Sequence, residues 1–162
     1  MSGDLKEYQN KMVYQLVQHK LLTAELYKLL AGHFPEYADF WSSLSEEELE
    51  HASWLEYLFK KIREEHASFQ EKGIKTYTIT AFHTYLQDAI SGVKAGKPSL
   101  SKALSLTLDI ERSLLEKRLF EHFIGQDREM SDLLQDLNRK MRDHTDRIEK
   151  KVSGLRKSLN PA

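Results

Sequence analysis

Along this chain apolar residues recur at alternating steps of three and four, in stretches of roughly 30 residues with little to interrupt them. Val13, Leu16, Val17, Ala24, Tyr27 and Ala31 form a first stripe, and Phe40, Leu44, Leu55, Phe59 and Ile62 a second. Leu100, Leu104, Leu108, Leu115 and Leu119 form a third, and Met130, Leu134, Leu137, Ile148 and Leu155 a fourth. That spacing belongs to helices that bury one face along most of their length. Only 7 glycines and 3 prolines punctuate the 162 residues, so the helices can be long. The pattern predicts helices over about 4–33, 36–71, 99–124 and 128–158, with a shorter one over about 81–94 carrying Phe82, Tyr85, Leu86, Ala89 and Val93. Breaks are expected at Phe34-Pro35-Glu36, at Gly92 to Ser99 with Ser99 as an N-cap, and at Gly125-Gln126-Asp127 with Asp127 as an acidic cap. Lys72 to Thr80 leans towards β-structure but is too short and isolated for a sheet. Short first and last connections make antiparallel hairpins, and the long middle connection must carry the chain back. The expectation is all-α: a single domain over 1–162, a four-helix bundle whose long crossover holds a short extra helix.

Composition narrows the chemistry. There is no cysteine, which removes disulfide frameworks, thiolate metal sites and iron–sulfur clusters together. No glycine-rich phosphate loop, dinucleotide fingerprint or Ser–His–Asp order is present, and neither haem nor flavin is expected. The formal net charge of −1 advertises no nucleic-acid partner. The basic residues of the last helix, among them Arg139, Lys140, Arg142 and Arg147, are interleaved with Asp143, Asp146 and Glu149, as on a solvated or self-associating face. A homodimer is the partner expected. No apolar run approaches a membrane span, and the first residues, MSGDLKEYQNK, lack a signal-peptide core, so the cytoplasm is the expected location.

The polar residues that interrupt the stripes carry the functional information. Glu48 and His51 fall between Leu44 and Leu55, in phase with the core. Three residues turn a helix by about 300°, so the two side chains point the same way one turn apart. Glu111 falls between Leu108 and Leu115, Met141 and His144 between Leu137 and Ile148, and Lys20 between Val17 and Ala24. A carboxylate in a bundle core is costly unless a cation or hydrogen-bond donors meet it. His19, His33, His66, His83 and His122 share no such phase and are expected on the surface or in the crossover.

Leu26-Tyr27, Phe34-Pro35-Glu36, Phe40-Trp41, Leu44-Ser45 and Glu47-Glu48-Leu49-Glu50-His51-Ala52 resemble the first hairpin of rubrerythrin-like proteins in the ferritin-like superfamily. Ala103-Leu104 and Leu108-Asp109-Ile110-Glu111 are similar to the start of their third helix, and the resemblance covers roughly residues 10 to 150. It implies a ferritin-like four-helix bundle and, in intact members, a di-iron or di-manganese carboxylate centre with oxygen, peroxide or iron-storage chemistry. Such a centre takes one Glu from each of two helices and Glu-x-x-His from each of the other two. Carried over by position, Glu48, His51, Glu111 and His144 match that pattern, while Lys20 and Met141 stand where glutamates are expected. Glu25 is the nearest acid on the first helix, but five residues turn it about 140° from Lys20.

Charge decides what such a site can hold. An intact centre sets four carboxylates against two divalent cations. Glu48 and Glu111 supply −2, an inward Lys20 brings the core to −1, and a thioether at Met141 is a poor substitute for a bridging carboxylate. Two ferrous ions would leave uncompensated positive charge in a low-dielectric interior. The expected function is therefore a non-enzymatic bundle protein with a degraded di-metal site, holding one iron or manganese ion or none. In the metal-free case Lys20 is the cation between the carboxylates. The alternative is a working di-iron oxidoreductase, peroxidase or iron-handling protein that recruits Glu25.

Overall fold

A computed structural model describes residues 2–70, 74–96 and 98–159. It is mostly helical, as the periodicity predicts. The described elements are α1 (Ser2–His33), a 3-10 turn (Pro35–Tyr37), α2 (Ala38–Arg63), β1 (Ala67–Phe69), α3 (Thr76–Lys94), α4 (Leu100–Arg112), α5 (Leu114–Lys117), a second 3-10 turn (Leu119–His122), β2 (Phe123–Gly125) and α6 (Arg128–Leu159). They fall into two compact units, one of α1, α2 and α3 and one of β1 with α4 through α6. No helix among the described residues is long and apolar enough to cross a membrane.

In the first unit α1 and α2 form an antiparallel hairpin. Pro35 opens the 3-10 turn between them, where its missing N–H costs nothing. Trp41 is fully buried among Phe34, Tyr37 and Phe40, with ring centroids 5.3 to 6.4 Å apart, and this cluster fastens the corner. Ser45 Oγ donates to the Ala24 carbonyl at 2.8 Å, so a small hydroxyl lets the two helices approach closely. α3 packs on α1 as well, which explains why α1 buries residues around so much of its circumference: Val13, Leu16, His19, Lys20, Thr23, Leu26, Tyr27 and Leu30 are all fully buried.

Two boundaries in this unit differ from the pattern. α2 ends at Arg63 rather than near residue 71, because Glu65 takes a left-handed φ of 65° that a continuing helix cannot accommodate. α3 begins at Thr76 rather than Ala81, so Thr76 to Thr80 is helical despite its β-branched side chains; Lys72 and Gly73 of that segment lie outside the described residues. Thr80 and Thr84 return their hydroxyl hydrogens to the carbonyls of Thr76 and Thr80, and Ile79 is fully buried. Burial of Ile79 outweighs a propensity deficit of a few tenths of a kcal/mol per residue.

In the second unit α4 and α6 run antiparallel, paired by Arg112 and Glu149 at 3.1 Å and by Arg156 and Ser105. Ser99 caps α4 by accepting from the Lys102 N–H at 3.2 Å, and Asp127 Oδ1 accepts from the Met130 N–H at 2.8 Å in the first turn of α6. The helix expected over 99–124 is interrupted. Ser113 is extended, and its hydroxyl takes the Ile110 carbonyl at 2.7 Å. Beyond it the chain forms one turn of α5, a 3-10 turn, and β2, which pairs antiparallel with β1 in the register Ala67 with Gly125, Ser68 with Ile124 and Phe69 with Phe123.

Gly125 sits where β2 passes the first turn of α6. A Cβ there would lie 2.5 Å from the Ser131 backbone nitrogen and 2.8 Å from the Met130 carbonyl carbon. Both neighbours are backbone and cannot swing aside. Gly125→Ala is expected to lower stability by about 1–3 kcal/mol, the cost typical of forced overpacking. A urea-denaturation midpoint equal to that of the parent would contradict the close approach.

Candidate metal centre

The first unit places Lys20 on α1 against Glu48 on α2. Lys20 Nζ lies 2.8 Å from Glu48 Oε2, and both side chains are fully buried. Lys20 sits on the side of α1 that meets Glu48 of α2, and its side chain is wholly buried there. His51, one turn along α2, brings Nδ1 to 3.5 Å from the same carboxylate oxygen, and its ring lies 5.0 Å from that of Trp54. One oxygen of Glu48 therefore faces both an ammonium and an imidazole. Nearby hydroxyls are engaged with backbone: Thr23 donates to the His19 carbonyl at 2.9 Å and Ser45 to that of Ala24.

The second unit gathers two carboxylates around one imidazole. His144 of α6 has Nε2 3.2 Å from Glu111 Oε2, at the end of α4. A carboxylate oxygen of Glu116, on α5, lies within 4.8 Å of an imidazole nitrogen of His144. Glu111 and Glu116 are fully buried and His144 nearly so. Met141, one turn before His144, is buried on the same stripe of α6 and presents a thioether to the core.

Each position singled out in the sequence thus has a definite place. Glu48, His51, Lys20 and Met141 are buried, as are Glu111 and His144. Glu25 is on the outer surface, its carboxylate turned to Lys94 at 3.9 Å with both side chains at least half exposed. It does not join the buried group, because the rotation of about 140° from Lys20 carries it to the opposite side of α1.

Glu116 is the acid that pattern reading missed. In a continuous helix it would stand some 140° from Glu111 and face away. The break at Ser113 resets the phase and turns it inward. A serine in the middle of an apolar-periodic run is a weak signal of such a break. His19, expected on the surface, is fully buried because α3 covers that side of α1.

The chemistry of the set is now defined. In the first unit Glu48 and His51, and in the second Glu116 and His144, are buried oxygen and nitrogen donors of the kinds that can hold a metal ion. No cysteine is available, so no thiolate or iron–sulfur ligation enters. No protein-family model, curated protein or solved structure matches the chain.

The Lys20–Glu48 pair makes a direct prediction. Removing one partner of a buried pair strands the other charge, at a cost of about 3–5 kcal/mol. Lys20→Ala should lose stability of that order, whereas Lys20→Met combined with Glu48→Met should recover most of it. Urea denaturation of the three proteins at neutral pH measures both effects. A loss below about 1 kcal/mol for Lys20→Ala would show a solvent-screened lysine instead.

Proposed function

We propose that this protein is a ferritin-like bundle protein, related to the rubrerythrin-like group, whose di-metal centre is reduced to a site for a single divalent ion. The observation that carries the reading is the ammonium of Lys20 at 2.8 Å from Glu48. A lysine there supplies the positive charge that a second ion would otherwise bring, and its Nζ claims an oxygen such an ion would need. Glu116 and His144 then offer a carboxylate and an imidazole, and Glu111, whose carboxylate faces His144, brings the local charge to −2, which one ferrous or manganous ion neutralises. Glu48 and His51 are the remaining donors that the sequence pattern assigns to the same ion.

A single ion is unsuited to two-metal oxygen or peroxide chemistry, so the role is metal binding rather than catalysis. A di-iron enzyme would need Glu25 as a ligand, and the outward position of Glu25 beside Lys94 argues against it.

Metal content tests the reading. Protein equilibrated with excess ferrous or manganous salt under anaerobic conditions and then dialysed should retain about one ion per chain, with a melting temperature that rises with metal concentration. Glu116→Gln and His144→Ala should each abolish retention. Replacing Lys20 and Met141 together with glutamate should raise the stoichiometry to about two, because the four-carboxylate set is then complete. Two ions per chain in the parent would overturn the single-ion reading in favour of a di-metal enzyme. Retention of none, with no change in melting temperature, would overturn it in the other direction, with Lys20 standing in for the metal altogether.

A further inference from the structure

Away from the carboxylates, α1 and α3 meet through a pair of imidazoles that the metal reading does not use. His19 of α1 is fully buried, and its ring meets Phe82 of α3 edge-on at 4.8 Å between centroids. It lies parallel to the ring of His83, 8° apart in plane and 6.1 Å between centroids. His83 Nε2 is 3.0 Å from the backbone carbonyl oxygen of Gln15, one turn before His19, to which it donates when that nitrogen carries the proton. The side-chain oxygen of Gln15 is also buried there, with no hydrogen-bond partner among the described residues. His19 is thus wholly enclosed and His83 half-buried, with a backbone carbonyl against its ring nitrogen.

A neutral imidazole at His83 suits such a place better than an imidazolium does. Among the described residues, neither helix sets a carboxylate against His83 to compensate a proton. What acts on it is burial, then His19, then the opposing pull of the Gln15 carbonyl. Of the other charged residues on these helices, Lys20 is paired with Glu48 of α2 and Lys94 of α3 with Glu25 of α1, and the acids Glu7 and Asp88 are not among the groups that act on His83. Burial and the neighbouring imidazole hold His83 below its ordinary value of 6.5. A histidine depressed in the docked state binds fewer protons there than when released. Its contribution is thus intact above 6.5 and lost as pH falls through the lower, docked value.

We propose that His19 and His83 form an acid-sensitive clasp, which keeps α3 on α1 at neutral pH and releases it in mildly acidic solution. Release would uncover Ile79, Leu86, Ile90 and Val93, the buried strip of α3. The clasp is a conformational device of the first unit, and it stands or falls independently of metal binding.

Backbone amide exchange on the full-length protein tests it, with rates corrected for the intrinsic pH dependence of exchange. Between pH 7 and pH 5 the protection of α3 amides should fall several-fold and reversibly, while that of α6 amides holds. His83→Gln keeps a donor for the Gln15 carbonyl but cannot ionise, and His19→Phe keeps the edge-on contact with Phe82 and removes the second imidazole. Each should flatten the pH dependence of α3 protection. Should either variant fold poorly, titration of the His83 ring protons by NMR in the parent suffices as the test, since a midpoint below 6.5 is required. Protection of α3 that is unchanged at pH 5, a loss shared equally by α6, a pH dependence that survives both substitutions, or an ordinary His83 midpoint would each overturn the clasp.

Discussion

An ammonium and a carboxylate buried together at 2.8 Å set the terms for the rest of the first unit. Taking either charge out of water alone would cost several kcal/mol, so neither residue can be placed until the other is in position. That requirement pins the register of α1 against α2, because a slip of one turn would strand both charges. The Pro35 corner and the Trp41 cluster bring the helices back on each other at the right phase, and Ser45 lets them come close. His51 shares the same carboxylate oxygen, so the pair is also the root of the candidate centre.

The second unit meets the same physical demand by a different local device. Rather than a lysine, it surrounds His144 with two acids, and the second of them is delivered by a defect in a helix. An unbroken helix over 100–124 would bury Leu115 and Leu119 equally well but would leave Glu116 facing outward. The extended backbone at Ser113 costs a turn of helical hydrogen bonding and gains a second oxygen donor beside the imidazole. The chain then closes through β2, whose pairing with β1 and close approach to α6 depend on a residue without a side chain at Gly125. Irregular backbone here positions polar side chains, whereas the regular helices bury apolar ones.

Much of the helical layout was legible from residue spacing alone. The start of α2 after Pro35, the caps at Ser99 and Asp127, and the buried stripe Met130, Leu134, Leu137, Met141, His144 and Ile148 on α6 all follow from local rules. Those rules rest on interactions within a turn or two, which sequence displays directly. The end of α2 at Arg63 does not follow, since Glu65 is an uncommon residue for a left-handed conformation and nothing in the pattern marks it. Nor does the helical state of Thr76 to Thr80, where burial of Ile79 and hydroxyl bonds back to the helix override β-leaning side chains.

By itself the sequence determined that this chain is helical, that it carries no thiolate chemistry, and that Lys20, Glu48, His51, Glu111, Met141 and His144 share the phase of the core. Periodicity encodes which face of a helix a residue occupies, and that sufficed. Only tertiary structure decided that Lys20 turns to Glu48 rather than to water, that Glu25 faces Lys94, and that Glu116 and His19 are buried. Each of these depends on what covers a helix from outside or on where its backbone breaks. A neighbour distant in the sequence leaves no periodic trace on the helix it covers.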